Sequence, residues 1–387
     1  MQVNPRKILL FLTPFVLPVI AGMTPARARA AEPTPADLLK KAGIASTPQL
    51  RGQMDTTGFA PTAAAMDAVR DRSLEAARSR ESQLREEKVL DGGTAFALAA
   101  CPHDDYAYAG RLYALVLKHI RAPRVIVFGV FHKARVFDCR DKLVFDAFPA
   151  WRGPYGPIPV SPLRAELLQR LPQTDRVVSN DMHAVEHSVE AIVYFLQAFR
   201  RDVEIVPVLV PHMGWETLDG LAGRFSDALS AVMKAKGWVM GRDVALVCSV
   251  DGVHYGDAHW GPSHYCPFGA DLEGYRRAAA QDREIAMTLA GPLDPEKARR
   301  FMQRCVDPAD VTRYRVTWCG RFSVPFGMVT AARVRESLGL PPLSGAILDC
   351  GTSVSEAGID VSDIPGMGVT APANFHHFVG YTAIGWW

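Results

Sequence analysis

A chain of 387 residues, 48% hydrophobic and 22% charged, is long enough to bury one large α/β core or two smaller ones and falls outside the disordered and low-complexity classes. Its 43 basic and 41 acidic residues are spread along the chain for a formal net charge of +2, which leaves no footprint for nucleic acid or an anionic membrane surface. Seven cysteines, at 101, 139, 248, 266, 305, 319 and 350, include no Cys-x-x-Cys pair, so a zinc ribbon and a thioredoxin-type redox pair are both excluded.

Arg6 and Lys7 precede an apolar segment, Ile8 to Met23, and Ala28-Arg29-Ala30 follows as a small-x-small cleavage site. This pattern reads as a secretory signal over residues 1–30. Pro14 and Pro18 and the short length argue against a membrane anchor, and no later segment is long and apolar enough to span a bilayer. The expectation is export, most simply to a bacterial periplasm, with no membrane association after cleavage. An oxidising compartment permits disulfides, and an odd cysteine count leaves one thiol unpaired. Residues 31–92 read as a charged helical N-terminal extension, with Arg and Glu alternating from Ala64 to Leu90 as on a solvated helix face. Asp91-Gly92-Gly93 breaks it, which places the main domain at 93–387.

From Thr94 the pattern alternates: strand to Cys101, helix over Gly110 to Arg121, strand from Arg124 to Phe131. Such alternation predicts an α/β fold, a mainly parallel or mixed central sheet with helices on both faces, in a single large domain. Phe145 to Pro162 is proline-rich and reads as a long ordered loop. His183 to Phe199 has helical spacing, Glu204 to Pro211 reads as a buried strand, and Trp215 to Lys234 as a helix. A strand over Val244 to Val250, a polar loop to Pro267 and a helix over Asp271 to Leu289 follow. Val316 to Val324 leads into a helix from Pro325 to Leu338, and Ala346 to Ser355 and Phe378 to Trp387 read as closing strands. Cys101 and Cys248, inside strand runs, read as core residues.

Three of these apolar runs end in chemistry: the first at His103, the second at His132, the third at Asp251 and His254. Ligands of open α/β sheets bind beyond the carboxyl ends of the strands, so these ends point to one site. The candidates are His103, His132, Glu186, His187, Asp251, His254 and Cys319. Two imidazoles with a thiolate or carboxylate suit iron, copper or zinc. A rival reading is local: His183-Ala184-Val185-Glu186-His187 fits H-x-x-E-H, a zinc-peptidase pattern with Glu186 as base and Glu273 as the one candidate for a further ligand. His259, His264, His376 and His377 read as loop histidines, and Asp104 and Asp105 as caps of the helix that follows them.

At this level the chain resembles the Memo-like proteins, called AmmeMemoRadiSam system protein B in bacteria and archaea, whose fold is similar to class III extradiol dioxygenases. The resemblance covers roughly 94–387 and rests on ordered blocks. Pro102-His103-Asp104-Asp105-Tyr106-Ala107-Tyr108-Ala109-Gly110 looks like P-H-A-G-Y-x-Y-x-G, and Phe128-Gly129-Val130-Phe131-His132 looks like L-G-P-S-H. Glu186-His187-Ser188-Val189-Glu190 matches E-H-S-x-E, Ser249 to Gly256 looks like S-S-D-x-x-H-x-G, and Cys319-Gly320-Arg321 matches C-G-R. The resemblance implies one transition-metal ion, iron or copper ahead of zinc, held by His103, His132 and Cys319, with His187, Asp251 and His254 lining the pocket. It implies a dioxygenase-like redox enzyme acting on O₂ or a small molecule. The alternatives are a non-catalytic metal- or partner-binding module and the zinc hydrolase. Asp104 and Asp105 depart from the family's small residues, Lys133 replaces a second histidine found in many relatives, and the charged extension replaces the family's N-terminal Trp-Tyr segment.

Overall fold

A computed structural model describes residues 33–256, 264–355 and 358–387. The expected signal segment and His259 lie outside these residues. Ten strands make the central sheet: β1 (Leu98–Cys101), β2 (Arg124–Val130), β3 (Leu143–Phe145), β4 (Arg176–Val178), β5 (Glu204–Val210), β6 (Val244–Ser249), β7 (His254–Gly256), β8 (Gly291–Pro292), β9 (Ser344–Thr352) and β10 (His377–Trp386). Their order is β8-β9-β10-β1-β6-β2-β5-β3-β4, with β7 paired to β10. The centre, β1-β6-β2-β5, is parallel; β10 joins β1, and β3 joins β5, antiparallel, so the sheet is mixed.

The central strands are apolar without a polar face because both faces are covered. Side chains alternate between two core layers: Ile126, Phe128, Val206, Val208 and Leu246 enter one, Val125, Val127, Ile205, Leu209 and Val247 the other. Helices α1 (Ala63–Glu86), α2 (Tyr106–Leu117) and α3 (Glu190–Phe199) close the second layer. Helices α4 (Trp215–Lys236), α5 (Leu272–Met287), α6 (Pro295–Cys305) and α7 (Ser323–Ser337) close the first. Cys101 and Cys248 are buried, one in each layer. No helix among the described residues is long and apolar enough to cross a membrane.

Several elements differ from the sequence reading. The charged extension hides a stripe of small and apolar residues, Ala65, Met66, Val69, Ser73, Ala77 and Leu84, on one face of α1. It therefore packs on α2, and Pro33 to Trp387 form one compact unit. Helix α2 begins at Tyr106, four positions before the expected Gly110. Asp105 occupies its N-cap position without capping it; the carboxylate instead accepts from Thr370 and from the Ala371 N–H at 2.9 Å. The proline-rich segment carries a short antiparallel pair, Ala150–Trp151 with Ile158–Pro159. Helix α6, begun by the Asp294 cap and Pro295, and the hairpin Val306–Asp307/Asp310–Tyr314 were not expected. His377 opens β10 instead of sitting in a loop.

The expected continuous helix over 183–199 is two helices, Asn180–Ala184 and α3, with a break between them. Arg51 causes it. The fully buried guanidinium donates to the carbonyls of His183 (2.9 Å) and Glu186 (2.6 Å), which diverts them from a continuing helix, and it pairs with Glu190.

Candidate metal centre

His103, His132 and Asp251 each lie two residues beyond the last residue of β1, β2 and β6. Parallel register sets Cys101 beside Ser249, so His103 and Asp251 leave adjacent strands side by side. The His103 N–H donates to Asp251 Oδ1 at 3.0 Å, and its Nε2 lies 3.1 Å from Oδ2. Ser249 Oγ is 2.7 Å from His103 Nδ1 and gives its own proton to the Ser188 carbonyl at 2.7 Å. The hydroxyl must then accept from Nδ1–H, and this tautomer leaves Nε2 of His103 with a lone pair facing the site.

His132 is fixed by Glu186. Its N–H donates to Oε2 at 2.7 Å, its ring Nδ1 to Oε1 at 2.9 Å, and the Ser188 N–H also donates to Oε1 at 2.9 Å. Burial opposes the charge on both partners, yet their mutual attraction outweighs it. His132 is raised to about 10, and Glu186 is held below the usual carboxylate range. At neutral pH the Nε2 of this imidazolium also carries a proton, which a bound ion would have to displace; Glu186 would then orient the ring as a carboxylate orients a ligating imidazole. His187 stacks on His132 with ring centroids 4.9 Å apart and planes 6° from parallel. Burial and then the positive His132 push it down to about 3, so it is neutral.

One nitrogen from each of His103, His132 and His187 lies within 4.8 Å of the others. Nitrogens bound to one transition ion at ~2.1 Å stand roughly 3 to 4 Å apart, so the trio needs only a small contraction to share one. Cys319 lies beside this trio without being part of it. Its N–H donates to the Asp251 carbonyl at 3.1 Å, Sγ lies 3.0 Å from His254 Nε2, and the thiol also bonds to His103 and His132. Burial raises a thiol, but His254, His103 and His132 outweigh it and hold Cys319 well below the ordinary range. None of the seven cysteines is in a disulfide. Asp251 is pushed far above the usual range by burial, then by Asp104 and Cys319.

The structure thus brings His103, His132, His187, Asp251, His254 and Cys319 to one sheet edge, with Glu186 holding His132. His183 is directed elsewhere: its Nε2 faces the Val144 carbonyl at 3.1 Å and its ring packs on Trp151. The H-x-x-E-H motif does not lie on one helix, and Glu186 spends both oxygens on His132 and Ser188, which removes the geometry the hydrolase reading required. Glu273 lies in the first turn of α5.

Sequence reasoning missed three supports. Ser249, which sets the His103 tautomer, was visible inside the Ser249-Val250-Asp251 block. Arg51 carried no local signal. Asp282 accepts from the Val253 N–H at 2.9 Å and from Trp318 Nε1–H, so one buried carboxylate ties the segments that present His254 and Cys319. Asp104 accepts from the Tyr381 hydroxyl at 2.7 Å.

Fold and site together define a mixed-sheet α/β protein with a histidine–cysteine cluster at the carboxyl edge of its parallel strands. The family model described as Memo-like protein matches residues 71–344, and the chain belongs to that family. It is 29% identical over 181 residues to a MEMO1 family protein of Methanosarcina barkeri, covering 46% of this chain and 59% of that one. A MEMO1 family protein of Methanosarcina mazei is 27% identical over 176 residues, covering 45% and 57%. One of Methanothermobacter thermautotrophicus is 30% identical over 108 residues, covering 27% and 35%. The chain spans less than two thirds of the length of each of these relatives.

Proposed function

We propose that this Memo-like protein binds a single iron or copper ion through His103, His132 and Cys319 and uses it for dioxygenase-like redox chemistry. The observation that carries the reading is the convergence of these side chains with their outer atoms already committed: Ser249 fixes His103, Glu186 fixes His132, and His254 stabilises the Cys319 thiolate. Imidazole with thiolate suits copper, iron and zinc, in an order set by availability as much as affinity. A bound iron or copper ion would supply one-electron chemistry and open coordination positions for O₂ or another small ligand. The chain's own part is positioning and proton transfer. His187, neutral and with 36% of its side chain exposed, is the group on the open side that gives or takes a proton.

Metal analysis of the purified protein tests this. One iron or copper per chain, lost in His103→Ala and Cys319→Ala, is the expected result. No metal in the native protein would leave a non-catalytic module, and metal that survives both changes but is lost in His183→Ala would restore the hydrolase. The N-terminal pattern supports export with cleavage after Ala30. Mass spectrometry of the protein expressed with its leader should find Ala31 as the first residue; an intact Met1 would refute it.

A further inference from the structure

Near the candidate metal centre stand Lys133, Arg135 and Arg321, cations that form no close ion pair among the described residues. Strands β2 and β5 run parallel with Val130 beside Val210, so the loops carrying Lys133, Arg135 and His212 leave the sheet next to one another. Arg321, two residues beyond Cys319, joins them: the guanidinium groups of Arg135 and Arg321 lie 5.8 and 3.7 Å from the centroid of one ring, Tyr314. Lys133 follows His132, and its charge is felt by His187. His212 senses Arg135, Arg140 and Arg321 together and, after burial, is held below its ordinary range by them.

The surrounding carboxylates neutralise this rim only in part: the Arg135 charge reaches Asp310, and Asp141 opposes the arginines at His212. Asp141 and Asp307 face Arg140 and Arg315, each at 3.9 Å. Asp310 accepts from the Thr312 N–H and hydroxyl, at 3.0 and 2.7 Å. Arg135 spends a donor on the Thr312 carbonyl at 3.2 Å, Arg321 on the Trp318 carbonyl, and Arg321 Nε is buried with no hydrogen-bond partner. Among the described residues no ion pair holds Lys133, Arg135 or Arg321. Like charges gathered without close ion-pair partners repel, and such a cationic rim concentrates anions. His103 and Asp251 are buried, whereas His187, which feels the Lys133 charge, keeps 36% of its side chain exposed, so a ligand meets the cluster at His187.

We infer that Lys133, Arg135 and Arg321, with His212 beside them, form an oxyanion-binding site that seats a carboxylate- or phosphate-bearing substrate next to the metal centre. This rests on reading the histidine cluster as a reaction site, and it gives that site a substrate class. Guanidinium forks suit both anions, and calorimetry separates them: the full-length protein is titrated with succinate and with inorganic phosphate at fixed ionic strength, metal-loaded and metal-stripped. Saturable binding of one of the two is expected in both forms. Lys133→Gln combined with Arg135→Gln should weaken it about ten-fold or more, since each lost charge-assisted hydrogen bond is worth that much, and Arg321→Gln should do the same. Arg242→Gln, remote and paired with Asp243, should leave it unchanged. Melting curves and metal content of the variants establish that fold and centre persist. Binding of neither anion, binding indifferent to the rim variants, or binding seen only with metal present would overturn the inference. A chain that takes up no metal but still binds the anion through the rim would refute the metal reading and leave this site standing.

Discussion

Replacing Arg51 by Met tests how the N-terminal extension supports the metal centre. The guanidinium is fully buried, lies 4.4 Å from the Trp151 ring centroid and, although burial lowers it to about 10, is charged at neutral pH. It donates to the His183 and Glu186 carbonyls and pairs with Glu190, which in turn accepts from the backbone N–H of Met54 and, at 3.1 Å, of Asp55. Methionine fills much of the volume but strands the Glu190 charge, at a cost of ~3–5 kcal/mol. The two carbonyls lose their donor, at ~1 kcal/mol or more each. The sum, about 5–7 kcal/mol, is a large share of the ~5–15 kcal/mol that holds a domain folded. Adding Glu190→Gln removes the stranded charge but keeps an oxygen for only one of the Met54 and Asp55 N–H groups, so the double variant should regain ~1–2 kcal/mol. Urea unfolding at pH 7 measures both, and metal content should fall with them because the 185–189 break loses its anchor. A loss under ~1 kcal/mol in Arg51→Met, or a double variant no more stable than the single, would refute the reasoning.

Glu186→Gln in the metal-stripped protein should lower the His132 titration, seen by nitrogen-15 NMR, from about 10, since burial opposes the charge and only Cys319 is left to support it. The native pair stabilises the fold in a window. The Glu186 contribution is present above its unfolded value of 4.5 and lost as pH falls, and the His132 contribution is complete below 6.5 and lost as pH rises through about 10. An unchanged titration in the variant would contradict this. Asp282 runs the other way: raised from 3.8 to about 7, it holds more protons folded than unfolded, so stability falls as pH climbs between those values. The span is worth up to about 4 kcal/mol. Both donors meet its Oδ1, which Asn retains, so Asp282→Asn should unfold with a flatter pH profile and match or exceed the native chain at pH 8. A Cβ on Gly327 would lie 2.1 Å from Cys248 Sγ, so Gly327→Ala should lower the melting temperature despite its helix preference, by ~1–3 kcal/mol of overpacking. Cys248→Ala should restore it.

The strand ends were legible because a buried parallel strand writes itself as an unbroken apolar run, and the first polar residues after it sit at the sheet edge. That placed His103, His132 and Asp251 without any knowledge of strand order. What the pattern lacks is anything that depends on a partner far along the chain. Apolar spacing from His183 to Phe199 continues smoothly through the break, and only Arg51, 132 positions before His183, shows why the helix stops. An arginine among Leu50, Gly52 and Gln53 looks like surface, since nothing local distinguishes a guanidinium that satisfies buried carbonyls from one in water. Asp105 fails as a cap for the same reason: its partners are 265 and 266 positions away.

These long-range ties also bear on how the centre works. His103 and His132 have their rear nitrogens assigned by Ser249 and Glu186 before any ion is considered, and Cys319 is held through its own N–H to the Asp251 carbonyl. Donors fixed by backbone and second-layer contacts would lose little freedom if an ion bound, so affinity would come from preorganisation rather than from folding around the ion. Asp104, where the family pattern this chain resembles has a small residue, is held by Tyr381, and its charge helps push Asp251 up. The departure therefore changes the electrostatics of the centre while leaving in place the contacts that set its geometry, and a difference in chemistry from relatives would begin there.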